Sequence, residues 1–466
     1  MRTDPIEHIV VLMLENRSFD EMLGSLKSIY PELEGVDAGA EARVNRGGNP
    51  ERSVTQRPVL SRLTWPDPMH ETPNVLRQIA DGCSGFIADF LQAYPQATDQ
   101  QLQDVMGYYP VGPGSLTVLH ALARSFTVCD HWFCSVPGPT WTNRLFVHSG
   151  TSLGRVKMPG DSLDLNLHCY DQPTIYQLLH DAGRSWKIYH HGLPQSLVLT
   201  RQWEYLDRYR DIGQFYADAA GPAQGFPAYV FIEPDYCGPD QNDQHPPSDV
   251  VNGEALIARV YNALRGNEAL WHTCLLVILY DEHGGFYDHV VPPTAARPDD
   301  HTEEFAFDRL GVRVPALLVS PWVAPGVLPH VFDHTSLLRY LSDKWDLKPL
   351  GNRTAQANSF ADALLALDAA RTDAPSALPV PATTRSEPSQ IVLDGNGRAL
   401  VGYGQRLQTQ PYGRDSLTVP ISTPPVGRAA SLAQIEAAKA GFARAIRTGQ
   451  ASWSGRQPAG ERFGRT

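Results

Sequence analysis

The chain reads as an α/β protein: a large, mainly parallel sheet between helices, with a small C-terminal extension. Three observations lead there. Short runs of strand-forming residues recur at 6–14 (IEHIVVLML), 185–190, 228–232 (AYVFI), 275–280 (LLVILY) and 314–319 (VPALLV), too short for most helices. Segments of helical period stand between them, and strands alternating with helices favour parallel pairing. Several of the runs end directly in clusters of ionisable residues, and ligand sites of open α/β sheets lie beyond the carboxyl ends of the strands.

The first run passes straight into Glu15-Asn16-Arg17-Ser18-Phe19-Asp20, where Asn16 or Ser18 can cap a helix starting near Phe19. Residues 36–75 are loop-rich and hold a Pro66-Asp67-Pro68-Met69-His70 run. Helices are predicted over 75–94 and over 115–125, the second with Leu116, Leu119 and Leu122 on one face. Pro137-Gly138-Pro139 then forces a tight approach to Thr140, and a helix begins nearby, running through Arg144. A hydroxyl at a helix N-terminus sits in the positive end of the helix dipole, which suits a nucleophile that must ionise. Thr140 or Thr142 serves equally as a plain N-cap, and Arg144 suits either a phosphate clamp or a structural ion pair.

The 228–232 strand leads to Glu233 and then to the polar loop Asn242-Asp243-Gln244-His245-Pro246-Pro247-Ser248-Asp249, with a helix expected over 252–265. The densest cluster follows the 275–280 run: Asp281, Glu282, His283, Gly284-Gly285, then Asp288-His289. Further on, Asp333-His334-Thr335-Ser336 looks like the start of a helix. Composition shifts after Leu350. The expected division is a catalytic domain over 1–350, a linker or extended segment over 351–395, and an extension over 396–466. That extension carries one helix, opened by a capping box at Ser431 and packed on the domain through Leu432, Ile435, Ala438, Phe442 and Ile446. The tail from Gly449 is polar.

The totals narrow the function classes. At 466 residues, 42% hydrophobic and 19% charged, the chain is long enough for a large core. A net charge of −12, from 39 basic and 51 acidic residues, offers no footprint for nucleic acid. No apolar run reaches membrane-spanning length. The six cysteines are scattered without a CxxC pair, so free thiols in a reducing compartment are expected. The start, MRTDPIEHIV, shows no secretory signal; the expected location is cytoplasmic, or secreted for a mature chain.

Polar clusters from distant segments, rich in carboxylates, fit a hard divalent cation of unspecified identity. Such an ion lowers the pKa of a hydroxyl and neutralises phosphate oxygens, while histidines protonate a leaving group near neutral pH.

Four motifs in order, ENRSFD, PGPT…NR…SG, NDQHPPSDV and YDEHGGFYDHV, resemble the phosphoesterase family, over about residues 6–345. That family holds bacterial and plant non-specific phospholipases C and a group of bacterial acid phosphatases. The resemblance implies a fold similar to alkaline phosphatase and the arylsulfatases. It implies a metal site on Glu15, Asn16, Asp281 and Glu282, a nucleophile at Thr140, and acid or phosphate-orienting roles for His70, His245 and His289, with Arg144 in the same segment as the nucleophile. The implied substrate is a phospholipid or another phosphate ester, attacked in line to give a phospho-threonine. One departure is Thr142, which stands where the family's PGPTxPNR segment carries a second proline. The YDEHGG form looks more like the plant enzymes. A phosphomonoesterase would use the same residues, and a lipid pocket would distinguish the two. Tyr108, Tyr109, Trp132, Trp141 and Phe286 are candidates for it, though a core role suits most of them. A non-catalytic scaffold on a degenerate hydrolase fold would have lost ligands or nucleophile, and every candidate is present.

Overall fold

The computed structural model describes residues 4–37, 39–158, 170–387, 391, 393–409 and 432–453. In chain order the strands are β1 (His8–Leu14), β2 (Val44–Gly47), β3 (Arg52–Thr55), β4 (Thr127–Val128), β5 (Trp186–His190), β6 (Tyr209–Asp211), β7 (Tyr229–Glu233), β8 (Cys274–Tyr280), β9 (Ala316–Val319) and β10 (Gly326–Val327). Eight of them form one sheet in the order β10-β4-β9-β8-β1-β7-β5-β6, and β2 and β3 form a separate antiparallel pair. Within the large sheet only β9 runs against its neighbours. The expected mainly parallel α/β sheet is therefore the architecture observed, with the 314–319 run as its reversed strand.

The two most apolar runs, β1 and β8, lie side by side in the middle of the sheet, every residue buried. A parallel sheet covered by helices on both faces dries both sides of each strand, so continuous rather than alternating apolar sequence is what such strands need. Leu276→Ala in this core is expected to cost about 2–5 kcal/mol. Register matters more for function: Leu14 pairs with Tyr280. The next residues of each strand, Glu15 and Asp281, therefore leave the sheet together.

One predicted helix is broken. The 75–94 segment is three pieces, Thr72–Gln78, Ala80–Cys83 and Phe86–Ala93. Asp81 and Gly82 take positive φ at the break, and a side chain at Gly85 would meet the Arg77 carbonyl at 2.0 Å. Ser18 caps the short Phe19–Met22 helix by accepting the Glu21 N–H.

Beyond Leu350 the chain is less of a linker than expected. Short helices occupy Gly351–Gln356 and Ala361–Leu365, while residues 366–387 are extended and irregular. Among the described residues two helices follow where one was expected: Gly395–Thr409 and Leu432–Trp453. They pack on each other through Tyr403 and Phe442, with ring centroids 5.4 Å apart. The expected face of Ile435, Ala438, Phe442 and Ile446 is buried, and Lys439 pairs with Asp235 at 2.9 Å. Ser431 and residues 454–466, and with them most of the polar tail, lie outside the described residues.

Candidate active site

The carboxyl ends of β1 and β8 converge on one buried cluster. Glu15, Asn16, Asp281 and Glu282 are all inaccessible to solvent. The Asn16 N–H donates to Asp281 Oδ1 at 3.2 Å, locking the two strand ends together. Asn16 adopts φ +54°, a left-handed conformation that asparagine tolerates better than most residues. Opposite it, Gly284 and Gly285 also take positive φ, and a Cβ on Gly284 would lie 2.4 Å from the Asn16 carbonyl. Gly284 is what lets the two motifs touch, while Gly285 admits the Met69 carbonyl, 2.7 Å from where its Cβ would lie.

Thr140 is the first residue of the Thr140–Ser149 helix, with Pro139 as N-cap. Its hydroxyl donates to Asn16 Oδ1 at 3.5 Å and faces a cavity of about 260 Å³. Thr142 points elsewhere: its hydroxyl donates to the Arg155 carbonyl at 3.3 Å. One turn on, Arg144 is completely buried, 2.9 Å from Asp281 and 3.2 Å from Glu15. Its other donors reach Tyr236, which in turn donates to Glu233 at 3.0 Å, and the Met13 and Leu14 carbonyls. Of its two sequence readings, the structural ion pair is the one observed. Arg144 holds the carboxylates and, completely buried, does not line the cavity.

His70 and His245 reach the same cavity from two loops, their rings 5.8 Å apart. His70 Nε2 lies 3.3 Å from Asn16 Nδ2 and 3.8 Å from Glu282. His245 lies 3.3 Å from Asp394 and 3.8 Å from Asp67. Burial alone would lower the pKa of His70, but Glu282 and Asp67 raise it to about 9. His245 is likewise raised against burial by Asp394 and Asp67. Burial, offset by Arg144 and reinforced by Glu282, lifts Asp281 to about 6, and burial drives Glu15 well above the usual carboxylate range. Glu282 goes the other way, since His70 and His283 outweigh its burial.

Glu15 and Asp281 share the Arg144 guanidinium, and four buried carboxylate oxygens of the cluster accept no hydrogen bond: Glu15 Oε2, Asp67 Oδ1, Glu282 Oε1 and Asp394 Oδ2. Buried oxygens of this kind are costly unless a proton or a cation meets them. Two groups here stand close enough to hold an ion, Asp67 with His70 and His245, and Glu15 with His245 and Asp394. Mixed carboxylate and imidazole donors suit a divalent ion. The residues present therefore fit a divalent metal, with Glu15 the implied ligand that these groups include.

His289 is not brought to this cavity. Its Nδ1 is 2.7 Å from Asp20 and its Nε2 2.8 Å from Glu34, so both ring nitrogens are engaged elsewhere. The proposed lipid-pocket aromatics Tyr108, Tyr109, Trp132, Trp141 and Phe286 are all buried, and none lines the cavity, whose aromatic lining is Trp65 and Tyr94.

Three participants escaped sequence reasoning: Asp67, Asp394 and Asn396. Asn396 donates to Glu15 Oε1 at 2.8 Å and accepts from the Trp141 indole at 2.9 Å. Asp67 stood inside the quoted proline run. The only sign of the others was a short Asp394-Gly395-Asn396-Gly397 run at the edge of what read as a linker.

The phosphoesterase family model matches residues 6–348. The chain belongs to the phosphoesterase family. Membership makes it a hydrolase acting on phosphoric esters. Among curated relatives, it is 36% identical to the non-specific phospholipase C6 of Arabidopsis thaliana, over 83% of this chain and 77% of that one. It is 34% identical to the plant's non-specific phospholipase C3, over 80% and 76%. It is 30% identical to phospholipase C A of Mycobacterium tuberculosis, over 75% and 74%. Among solved structures, an alkaline phosphatase superfamily protein from Vibrio parahaemolyticus aligns with 98% of this chain and 90% of its own, at TM-score 0.35 and 10% identity, a distant likeness only. This phosphoesterase has, among the described residues, no helix long and apolar enough to cross a membrane.

Proposed function

We propose that the protein is a metal-dependent phospholipase C, cleaving glycerophospholipids to diacylglycerol and a phosphorylated headgroup through a phospho-threonine at Thr140. The observation that carries this reading is the Thr140 hydroxyl, at a helix N-terminus, facing a cavity that His70 and His245 also line. Thr140 Oγ attacks phosphorus, its proton passes to solvent, and the bond from phosphorus to the glycerol oxygen breaks. A protonated histidine, His70 or His245, gives its proton to that leaving oxygen; the raised pKa values of both rings support the charged form as the acid. The resulting neutral histidine then draws a proton from water, whose hydroxide bonds to phosphorus as the bond to Thr140 Oγ breaks; that oxygen takes back a proton from solvent, and both groups are restored. A divalent cation held by Glu15, Asn16, Asp281 and Glu282 would supply charge neutralisation at the phosphate and at the Thr140 oxygen. Arg144 and Asn396 keep the carboxylates aimed.

The names of the plant and mycobacterial relatives favour a diester substrate. The test is a paired hydrolysis assay, with and without chelator, on phosphatidylcholine and on a simple aryl phosphate monoester. Chelator-sensitive release of diacylglycerol and phosphocholine is expected. Turnover of the monoester alone would reassign the protein as an acid phosphatase, and no chelator-sensitive turnover of either would revive a degenerate scaffold.

A further inference from the structure

The three most exposed large apolar side chains among the described residues are neighbours: Leu60 at 55%, Leu63 at 59% and Trp65 at 54%. The other six exposed by more than a third are scattered from Ile29 to Val380. Folding removes apolar surface from water, so three such side chains within six residues call for a partner.

This loop is not loose. Val59 N–H donates to the Tyr108 carbonyl at 2.9 Å, and the Ser61 hydroxyl donates to Asp104 at 2.7 Å. The Tyr109 hydroxyl donates to the Ser61 carbonyl at 2.6 Å, and the Arg62 guanidinium forks onto Asp249, one bond being 3.0 Å. Gln101 donates to the Trp65 carbonyl at 3.0 Å. The backbone is pinned on its inner side while Leu60, Leu63 and Trp65 are held out to solvent.

Its position supplies the partner's chemistry. Trp65 is both exposed and part of the cavity lining, and the chain runs on through Asp67 to His70 inside. A tryptophan flanked by leucines, at the mouth of a phosphate-ester site, matches what sits at the boundary between headgroups and acyl chains. We propose that residues 58–66 are a docking surface for a zwitterionic phospholipid bilayer, which seats the cavity mouth against the headgroups. This rests on the lipid-substrate reading above. A net charge of −12 disfavours anionic membranes and points to a neutral surface.

The test uses the full chain, phosphatidylcholine vesicles and a soluble chromogenic phosphocholine diester. Leu60→Asp with Leu63→Asp is expected to lower partitioning onto vesicles, and turnover of vesicle lipid, by tenfold or more. Turnover of the soluble diester stays within twofold, which also reports a folded site. Val380→Asp, an exposed apolar residue outside the loop, changes neither. Should the double variant misfold, Leu60→Ser with Leu63→Ser gives the same pattern, about threefold. Lipid turnover by the wild type, with vesicle binding unchanged in the variants, overturns the docking surface and leaves the phospholipase reading intact. Vesicle binding that the variants lose, without lipid turnover by the wild type, supports the docking surface and sinks the substrate reading. A wild-type chain that ignores vesicles, or a dimer that the variants dissolve, overturns the proposal.

Discussion

The same two motifs build two different clusters. ENRSFD supplies Glu15 and Asn16 to the buried cluster beside the cavity and, five residues after Glu15, Asp20 to a second group; YDEHGGFYDHV supplies Asp281 and Glu282 to the first, Asp288 and His289 to the second. Both are buried and both are rich in carboxylates and histidine. They differ in whether the oxygens are satisfied. In the second cluster Arg313 bonds Asp20 and Asp288, each at 2.9 Å, His289 covers Asp20 at 2.7 Å, and the Asp20 and Val290 N–H groups close on Asp288. Three of its side chains stand close enough to hold an ion, but the Arg313 guanidinium already occupies that role. In the first cluster Arg144 serves one oxygen each of Glu15 and Asp281, and Glu15, Glu282, Asp67 and Asp394 each keep an open oxygen. Acidic residues at a strand end do not by themselves suit a metal; acidic residues left short of donors and within reach of one another fit one.

The comparison breaks most sharply at Asp281. Asp281→Asn is expected to cut turnover by about 10³-fold or more, about 4 kcal/mol of transition-state stabilisation, and to weaken metal binding in equilibrium dialysis. Unchanged turnover would remove the first cluster from catalysis. On the same side, Thr140→Val should abolish covalent phosphoenzyme in intact-mass spectra while Thr142→Val preserves it, since only Thr140 faces the cavity. Phosphoenzyme that survives Thr140→Val and vanishes with Thr142→Val would reverse the choice.

The second cluster should fail in stability, not chemistry. Arg313→Met strands two buried carboxylates and is expected to cost about 3–5 kcal/mol in urea unfolding, with metal affinity per folded molecule nearly unchanged. A large loss of metal affinity would show the clusters to be one site. Between these extremes, Asn396→Ala, which frees Glu15 from its amide partner, should lower metal affinity and turnover about 10–100-fold.

The smallest expected effect is His289→Gln, about 1–2 kcal/mol of stability, and it carries a pH signature. Asp20 and Asp288 raise the folded pKa of His289 against its burial, so its contribution is complete below about pH 6.5, the unfolded value, and fades as pH rises through the folded value. His289 and Arg313 lower Asp20 despite its burial, so that part is present above about pH 4 and lost as pH falls through the folded value. The gap between wild type and variant should therefore be widest near pH 4–6.5 in denaturant titrations. A gap that widens toward pH 9 would contradict the ion pair.

Sequence alone determined the sheet's centre and the two strand ends that build the site. Runs such as LLVILY admit few states other than a buried strand, and a parallel strand must release its chain at the same edge as its neighbour, so Glu15 and Asp281 were readable together. Thr140, His70 and His245 stand near proline-rich turns, but their roles came only from the family resemblance, since an N-cap or a solvated loop histidine reads the same locally. Tertiary structure alone decided the sharing of partners. Nothing near Arg144 says that it will face carboxylates instead of phosphate, and nothing near His289 says that Glu34, 255 residues earlier, will take its second nitrogen. Asn396 reaches Glu15 across 381 residues, carried there by two helices whose mutual packing has no signal in the site's own motifs. Strand formation and turn chemistry are short-range and legible; which buried charge goes unpaired depends on every group that long-range packing delivers, and that balance exists only in the folded chain.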